Sequence, residues 1–164
     1  MKKINMIEVV VLLIAIAIVL ALVIVIIVVK IVPHTPNNIP MVTHTAEPYS
    51  NLLDAMEHVE SGCFTSAIGK NSEVGILQIS KICIDDVNRI YTLDFKYNDR
   101  YDRKKSRLIA ILYLKYYGKV YTKATGKVPT DEVLARIWNG GPTGYLKKST
   151  VKYWKAVKNR MEVL

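Results

Sequence analysis

A chain of 164 residues is enough for one modest domain. Its 23 Lys and Arg against 14 Asp and Glu give a formal charge of +9, a balance that suits an anionic polymer or nucleic acid. No helix-turn-helix, zinc-finger or RNA-binding signature accompanies that charge, so nucleic acid is not the expected partner.

The apolar residues are unevenly spread, so their mean is misleading. From Val9 to Val29 every residue is Val, Leu, Ile or Ala. About 20 apolar residues suffice to cross a bilayer as a helix, the open-chain form that satisfies its own backbone in hydrocarbon. The run exceeds a signal-peptide h-region, and Lys30-Ile31-Val32-Pro33 after it offers no small-x-small cleavage site. Residues 1–32 are therefore expected to be an uncleaved signal anchor, with a transmembrane helix over 7–32. Lys2 and Lys3 precede the run, and beyond Lys30 the next charge is Glu47. That asymmetry predicts a single-pass protein with a cytoplasmic N-terminus and the remainder periplasmic, extracellular or on a virion membrane.

Residues 33–49 read as a linker containing Pro33, Pro36, Pro40 and Pro48. In polyproline II, at about 3.1 Å per residue, it would hold the next domain up to about 50 Å from the bilayer. Residues 50–164 form the expected folded domain. Ser50 is a candidate N-cap, with Leu52, Met56 and Val59 at helical spacing and Ser61-Gly62 ending the helix. Residues 62–74 read as an irregular loop and 75–79 as a short extended or turn segment. Ser80 is a candidate cap for a second helix burying Ile82, Val87 and Ile90, and 91–101 reads as loop. The spacing predicts a strong helix over 102–117, with Leu108, Ile111, Leu112 and Tyr116 on one face and Gly118 as its stop. Thr130 caps another helix, with Asp131 and Glu132 in its first turn. It carries Val133, Leu134 and Ile137 into Asn139-Gly140-Gly141. Ser149 opens a last helix with Val151, Trp154 and Val157 on one side. The fold class is mainly α, with at most a small sheet.

Three short elements stand in order: Glu60-Ser61, then Gly75-Ile76-Leu77-Gln78-Ile79, then Ala135-Arg136-Ile137-Trp138-Asn139-Gly140-Gly141-Pro142. Order and spacing resemble the catalytic domain of lytic transglycosylases and goose-type lysozymes, whose usual forms are Glu-Ser, Gly-Leu-Met-Gln and an Asn-Ala-Gly or Asn-Gly-Gly box. Tyr113-Leu114 falls where that family has a Tyr-Leu pair. Ile76-Leu77 in place of Leu-Met keeps apolar bulk, and Trp138 stands where the family often has Tyr. The resemblance covers most of residues 50–164 and leaves out the apolar run and the linker.

The resemblance implies a lysozyme-like α+β fold with little sheet, and cleavage of the β-1,4 bond between N-acetylmuramic acid and N-acetylglucosamine in peptidoglycan, with no cofactor. Breaking that bond requires a proton on the departing oxygen. A carboxyl supplies it near neutral pH only if burial raises its pKa. Glu60, at the end of an apolar helix face, is the candidate general acid and later general base. The plain alternative is a surface glutamate at a helix end. Most glycosidases pair two carboxylates. The transglycosylases resemble an exception: one acid acts, the substrate's N-acetyl group assists, and the muramic 6-hydroxyl attacks to leave a 1,6-anhydro sugar. Goose-type lysozymes use water, and Asp85, Asp86, Asp94, Asp99 and Asp102 are candidates for assisting it, though capping or surface charge is their plainer role.

Ser61, Gly75, Gln78, Trp138, Asn139, Gly140 and Tyr145 are the candidate substrate-binding residues. The amides of Gln78 and Asn139 suit an N-acetyl group or glycan hydroxyl, and Gly75 suits close backbone approach. Ser61 as a helix end, Asn139-Gly140 as a C-cap and Tyr145 as core are the plain readings. Cys63 and Cys83 are either a disulfide, permitted outside the cytoplasm, or two free buried thiols. A zinc site on His58, Cys63 and Cys83 is a remote alternative lacking the Pro-Cys-x-x-Cys of zinc deaminases. The expected activity is lytic transglycosylation. Hydrolysis on the same fold is the runner-up, and a non-catalytic glycan-binding or virion structural protein is the reading from another class.

Overall fold

Among residues 47–164, three of the five α-helices begin at a side chain that accepts from their first turn, and three end on a left-handed residue, Gly62, Thr92 or Gly126. The computed structural model describes residues 47–164. The expected membrane span and all but the end of the linker lie outside the described residues. Among those described, no helix is long and apolar enough to cross a membrane.

Helix α1 spans Ser50–Ser61, α2 Lys81–Tyr91, α3 Arg103–Thr125, α4 Asp131–Gly140 and α5 Val151–Met161. Short 3-10 turns occupy Tyr97–Tyr101, Gly144–Leu146 and Lys148–Thr150. Extended pairing among the described residues is limited to the isolated bridges Ile68–Val74 and Val74–Ile79, so the fold is mainly helical with almost no sheet. The side chains of Ser80, Asp102 and Thr130 accept from Cys83, Lys105 and Val133 N–H, capping α2, α3 and α4. Ser50 does not cap α1. It is the first helical residue, and Tyr49 stands at the cap with φ 62° and no side-chain hydrogen bond.

Helix α1 runs through the core. Leu52, Leu53, Ala55 and Met56 are buried against Leu77, Ile84, Ile109, Leu114, Ile137 and Val157. Truncating one of these large side chains to Ala would cost about 2–5 kcal/mol, because so central a site cannot collapse around the hole. A buried ionic cluster pins α1 to α3. Glu57, 1% exposed, accepts from Arg103 Nε and Nη2 at 3.1 and 2.8 Å and from Arg107 Nη1 at 3.0 Å. Arg107 also meets Asp54 at 2.7 Å and Glu47 at 2.5 Å. Glu47 is thus docked on the domain and Tyr49 packs on the core, so the folded unit begins before residue 50.

The structure corrects several expected faces. In α2 the core residues are Ile84 and Val87, while Ile82 is 79% exposed. In α3 the buried face is Ile109, Ala110, Tyr113 and Leu114, and Leu108 is 47% exposed. Residues 108–114 are apolar all round, so their spacing does not select a face, and pairing lets Arg107 go inside at the same level. Gly118 does not stop α3, which continues to Thr125. It is where α3 approaches Pro129 and Leu134, to which an added Cβ would come within 3.3 and 3.4 Å.

Candidate active site

The end of α1 is a left-handed turn. Gly62, φ 66°, donates its N–H to His58 O, and Cys63 N–H reaches Glu57 O at 3.1 Å. This double closure fixes the direction in which the last turn, and Glu60 with it, leaves the core. Ser61 then ties that turn to the next motif, its hydroxyl donating to Ile76 O at 2.9 Å. The segment 75–79 is a tight turn. Gly75 has φ 82°, and an added Cβ would lie 1.8 Å from Arg100 O, so neither the backbone angle nor the space admits a side chain. Buried Arg100 holds this turn from the far side, donating to Ile79 O at 2.8 Å. Gln78, φ 48°, donates its amide to Gly75 O at 2.9 Å and Ala67 O at 3.3 Å. Two of the three sequence motifs are thus joined by hydrogen bonds.

The third motif closes the site. Trp138, in the last turns of α4, donates Nε1–H to Glu60 Oε1 at 3.1 Å. Tyr153, on α5, donates its hydroxyl to the same oxygen at 2.7 Å. Burial is the main influence on Glu60 and pushes its pKa up to about 7. The two donors oppose that rise, and the charge of Glu73 adds to it. Both donors occupy Oε1, so the proton that Glu60 retains near neutrality belongs on Oε2. Tyr153 is itself raised well above the usual phenol range, chiefly by burial, and stays a donor.

Glu60 opens on a cleft of about 680 Å³. Gly69, Lys70, Glu73, Gln78 and Ile79 form one part of its lining, and Ser80, Ile82, Cys83 and Asp86 of α2 with Tyr113 and Tyr117 of α3 form another. Trp138, Asn139, Gly141 and Pro142 complete it. Tyr113 meets Trp138 edge-on at 5.7 Å and Tyr117 at 4.6 Å, a continuous aromatic wall suited to the apolar face of a ring-shaped ligand. Tyr117 donates to Asp86, which Arg89 also holds.

Besides Asp86, the cleft contains the carboxylate of Glu73. It accepts from Asn71 N–H at 3.0 Å and the Asn71 amide at 3.1 Å. Hydrogen bonds from its own backbone N–H, then from Asn71, hold its pKa below the usual carboxylate value. One cleft therefore contains a carboxyl inclined to keep its proton and another inclined to lose it, the arrangement by which environment divides acid and base roles.

Glu60, Gln78, Trp138 and Asn139 meet at this cleft as the sequence suggests. Ser61 and Gly75 are not in its lining and instead brace the turn beneath it. Gly140 is also absent from the lining, lying against Thr150, to whose Cγ2 an added Cβ would come within 2.6 Å, and Gly141 takes the place at the cleft. Tyr145 packs edge-on against Tyr121 at 4.9 Å and is core, not cleft. Of the five candidate aspartates only Asp86 lines the cleft; Asp94 and Asp99 pair with Lys96 and Lys105, Asp85 accepts from Tyr97, and Asp102 caps α3. Cys63 and Cys83 are both free. Cys63 is exposed just past α1, so the alternative of two buried thiols fails as well. Cys83 is half-buried in α2, its thiol pushed up to about 12 mainly by burial. Among the described residues no three His, Cys, Asp or Glu side chains converge on a metal position, and His58 sits against Arg160, so no zinc site forms on His58, Cys63 and Cys83.

Sequence reasoning missed Glu73, Tyr153 and Tyr117. Glu73 had a signal, because it stands two residues before Gly75 in a polar loop between the first two motifs. Tyr153 had none beyond its neighbour Trp154, which sits on the expected core side of α5.

No family model matches the chain. It is 33% identical over 92 residues to a lysozyme of Ostrea edulis, a stretch amounting to 56% of this chain and 63% of that lysozyme. The chain thus spans somewhat under two thirds of the relative it matches.

Proposed function

We propose that this domain is a muramidase that hydrolyses the β-1,4 bond of peptidoglycan, with Glu60 as general acid and Glu73 as the ionised partner. The observation that carries the reading is that Glu60, held at Oε1 by Tyr153 and Trp138, shares one cleft with Glu73, the candidate for the ionised side. Similarity to a lysozyme and the order of the three motifs support it. In the first step Glu60 Oε2–H protonates the departing glycosidic oxygen while positive charge grows at the anomeric carbon. Glu73 stabilises that charge until water attacks the anomeric carbon. Tyr153 and Trp138 then stabilise the Glu60 carboxylate, which takes the water's proton. Gln78 and Asn139 supply polar contacts to the sugar, and Tyr113, Tyr117 and Trp138 an apolar face.

Lytic transglycosylation is a second reading, which the order Glu60-Ser61, Gly75–Ile79, Asn139–Gly141 fits equally. It uses Glu60 alone and no water. Mass spectrometry of the products separates the two: hydrolysis leaves a reducing end carrying the elements of water, and transglycosylation a 1,6-anhydro end. In the hydrolytic reading Glu73→Gln lowers kcat by about 10²–10⁴-fold. Full activity in that variant with anhydro products reassigns the reaction, and no cleavage by the wild-type chain leaves a glycan-binding or virion structural role. We further propose that residues 1–32 are a signal anchor presenting the domain outside the cytoplasm. Protease protection of the domain in intact cells would contradict that orientation.

A further inference from the structure

We propose a second binding surface on this domain, a basic, apolar-floored groove on the last turns of α3 that docks onto an anionic phospholipid surface. The groove encloses about 540 Å³ and shares no lining residue with the cleft. Its floor is Tyr49, Gly118, Pro129 and Leu134, and its rim carries Lys115, Lys119 and Lys123. Spacing of four places these lysines in one stripe along the helix. All three are exposed, and among the described residues none is paired with a carboxylate, the ion pairs of α3 being confined to Arg103, Lys105 and Arg107. From Arg103 to Thr130 the sequence has eight Lys and Arg and no Asp or Glu, the next acids being Asp131 and Glu132 at the start of α4. Val128, at the lip, is 82% exposed.

Charge alone would suit any polyanion. The apolar floor and the bare valine favour a partner that offers phosphates and hydrocarbon side by side, as the headgroup–acyl boundary of a bilayer does. Lysines around such a groove can lay their methylene stems along apolar surface while their ammonium groups reach phosphate. Tyr49 in the floor adjoins Pro48 and Glu47, so the chain joins the domain at this groove. Near an anionic leaflet each lysine contributes about 1 kcal/mol, or about fivefold in affinity. The three together contribute about a hundredfold.

The test is amide exchange of the full chain, read by mass spectrometry, with vesicles of phosphatidylcholine alone or with about one third phosphatidylglycerol. Both vesicle types accommodate an apolar N-terminal segment equally, and exchange is read at the groove itself because cations elsewhere on the +9 chain also respond to anionic lipid. The surface predicts slowed exchange across residues 115–130 on the anionic vesicles only. The slowing disappears in the variant Lys115→Gln/Lys119→Gln/Lys123→Gln and at high salt, while the variant's activity and circular dichroism match wild type. Equal slowing on both vesicles, or on neither, overturns the proposal. Slowing by soluble polyphosphate without lipid, and none with anionic vesicles, assigns the groove to a phosphate polymer and overturns it too.

Discussion

Replacing Tyr153 with Phe removes one hydroxyl and leaves the ring that fills the space between α1 and α5. The hydroxyl donates to Glu60 Oε1 at 2.7 Å and stabilises the carboxylate more than the acid. Its loss therefore raises the Glu60 pKa above its present value of about 7. A hydrogen bond to a charged group is worth about 1.5–3 kcal/mol, and 1.36 kcal/mol corresponds to one pKa unit. Trp138 Nε1 remains on the same oxygen at 3.1 Å and recovers part of the loss, so the rise should be about one to two units. A general acid must hold its proton in the free enzyme, so the alkaline limb of kcat/KM on purified peptidoglycan should move from near 7 to about 8–9. Stability follows the same titration. A carboxyl whose folded pKa is raised contributes stability below its unfolded value, and that contribution is lost as pH rises through the folded value. In the variant the loss should extend to correspondingly higher pH. An alkaline limb that stays near 7 or moves lower would refute the assignment of Tyr153 as a donor to the acid.

Gly75→Ala places a Cβ 1.8 Å from the Arg100 carbonyl at a φ of 82°, and should lower stability by about 3 kcal/mol or more; thermal and urea unfolding measure it, and a near-neutral effect would contradict the packing of that turn. Glu57→Ala leaves Arg103 and Arg107 facing a buried void without their shared carboxylate, a loss of about 3–5 kcal/mol, read in urea at neutral pH, with specific activity of the folded fraction unchanged because Glu57 is not in the cleft lining.

Local signals in the sequence foretold the helices and three of their N-caps, but not the starts of α1 and α5. Ser80, Asp102 and Thr130 announce α2, α3 and α4, and Gly62 ends α1, because these residues satisfy or free backbone groups within a turn of themselves. Faces were harder to read. The all-apolar stretch 108–114 leaves the orientation of α3 to its partners, and burial of Arg107 follows from acids as distant in sequence as Glu47 and Asp54. The motif order placed Glu60, Gln78, Trp138 and Asn139 at one cleft. It could not separate residues that line the cleft from those that brace it, since Ser61, Gly75 and Gly140 serve packing and hydrogen bonding beneath the surface. Tyr153 was invisible because its partner lies 93 residues away, and no periodicity reports so distant a contact.

The most direct test of the account compares wild type and Glu60→Gln on defined peptidoglycan, with fold verified by circular dichroism and products read by mass spectrometry. The amide keeps the shape and accepts from Tyr153 and Trp138 but has no transferable proton. The account predicts cleavage by the wild type and a fall of about 10²–10⁴-fold in the variant. Cleavage by the variant at a rate near that of wild type would show that the acid lies elsewhere.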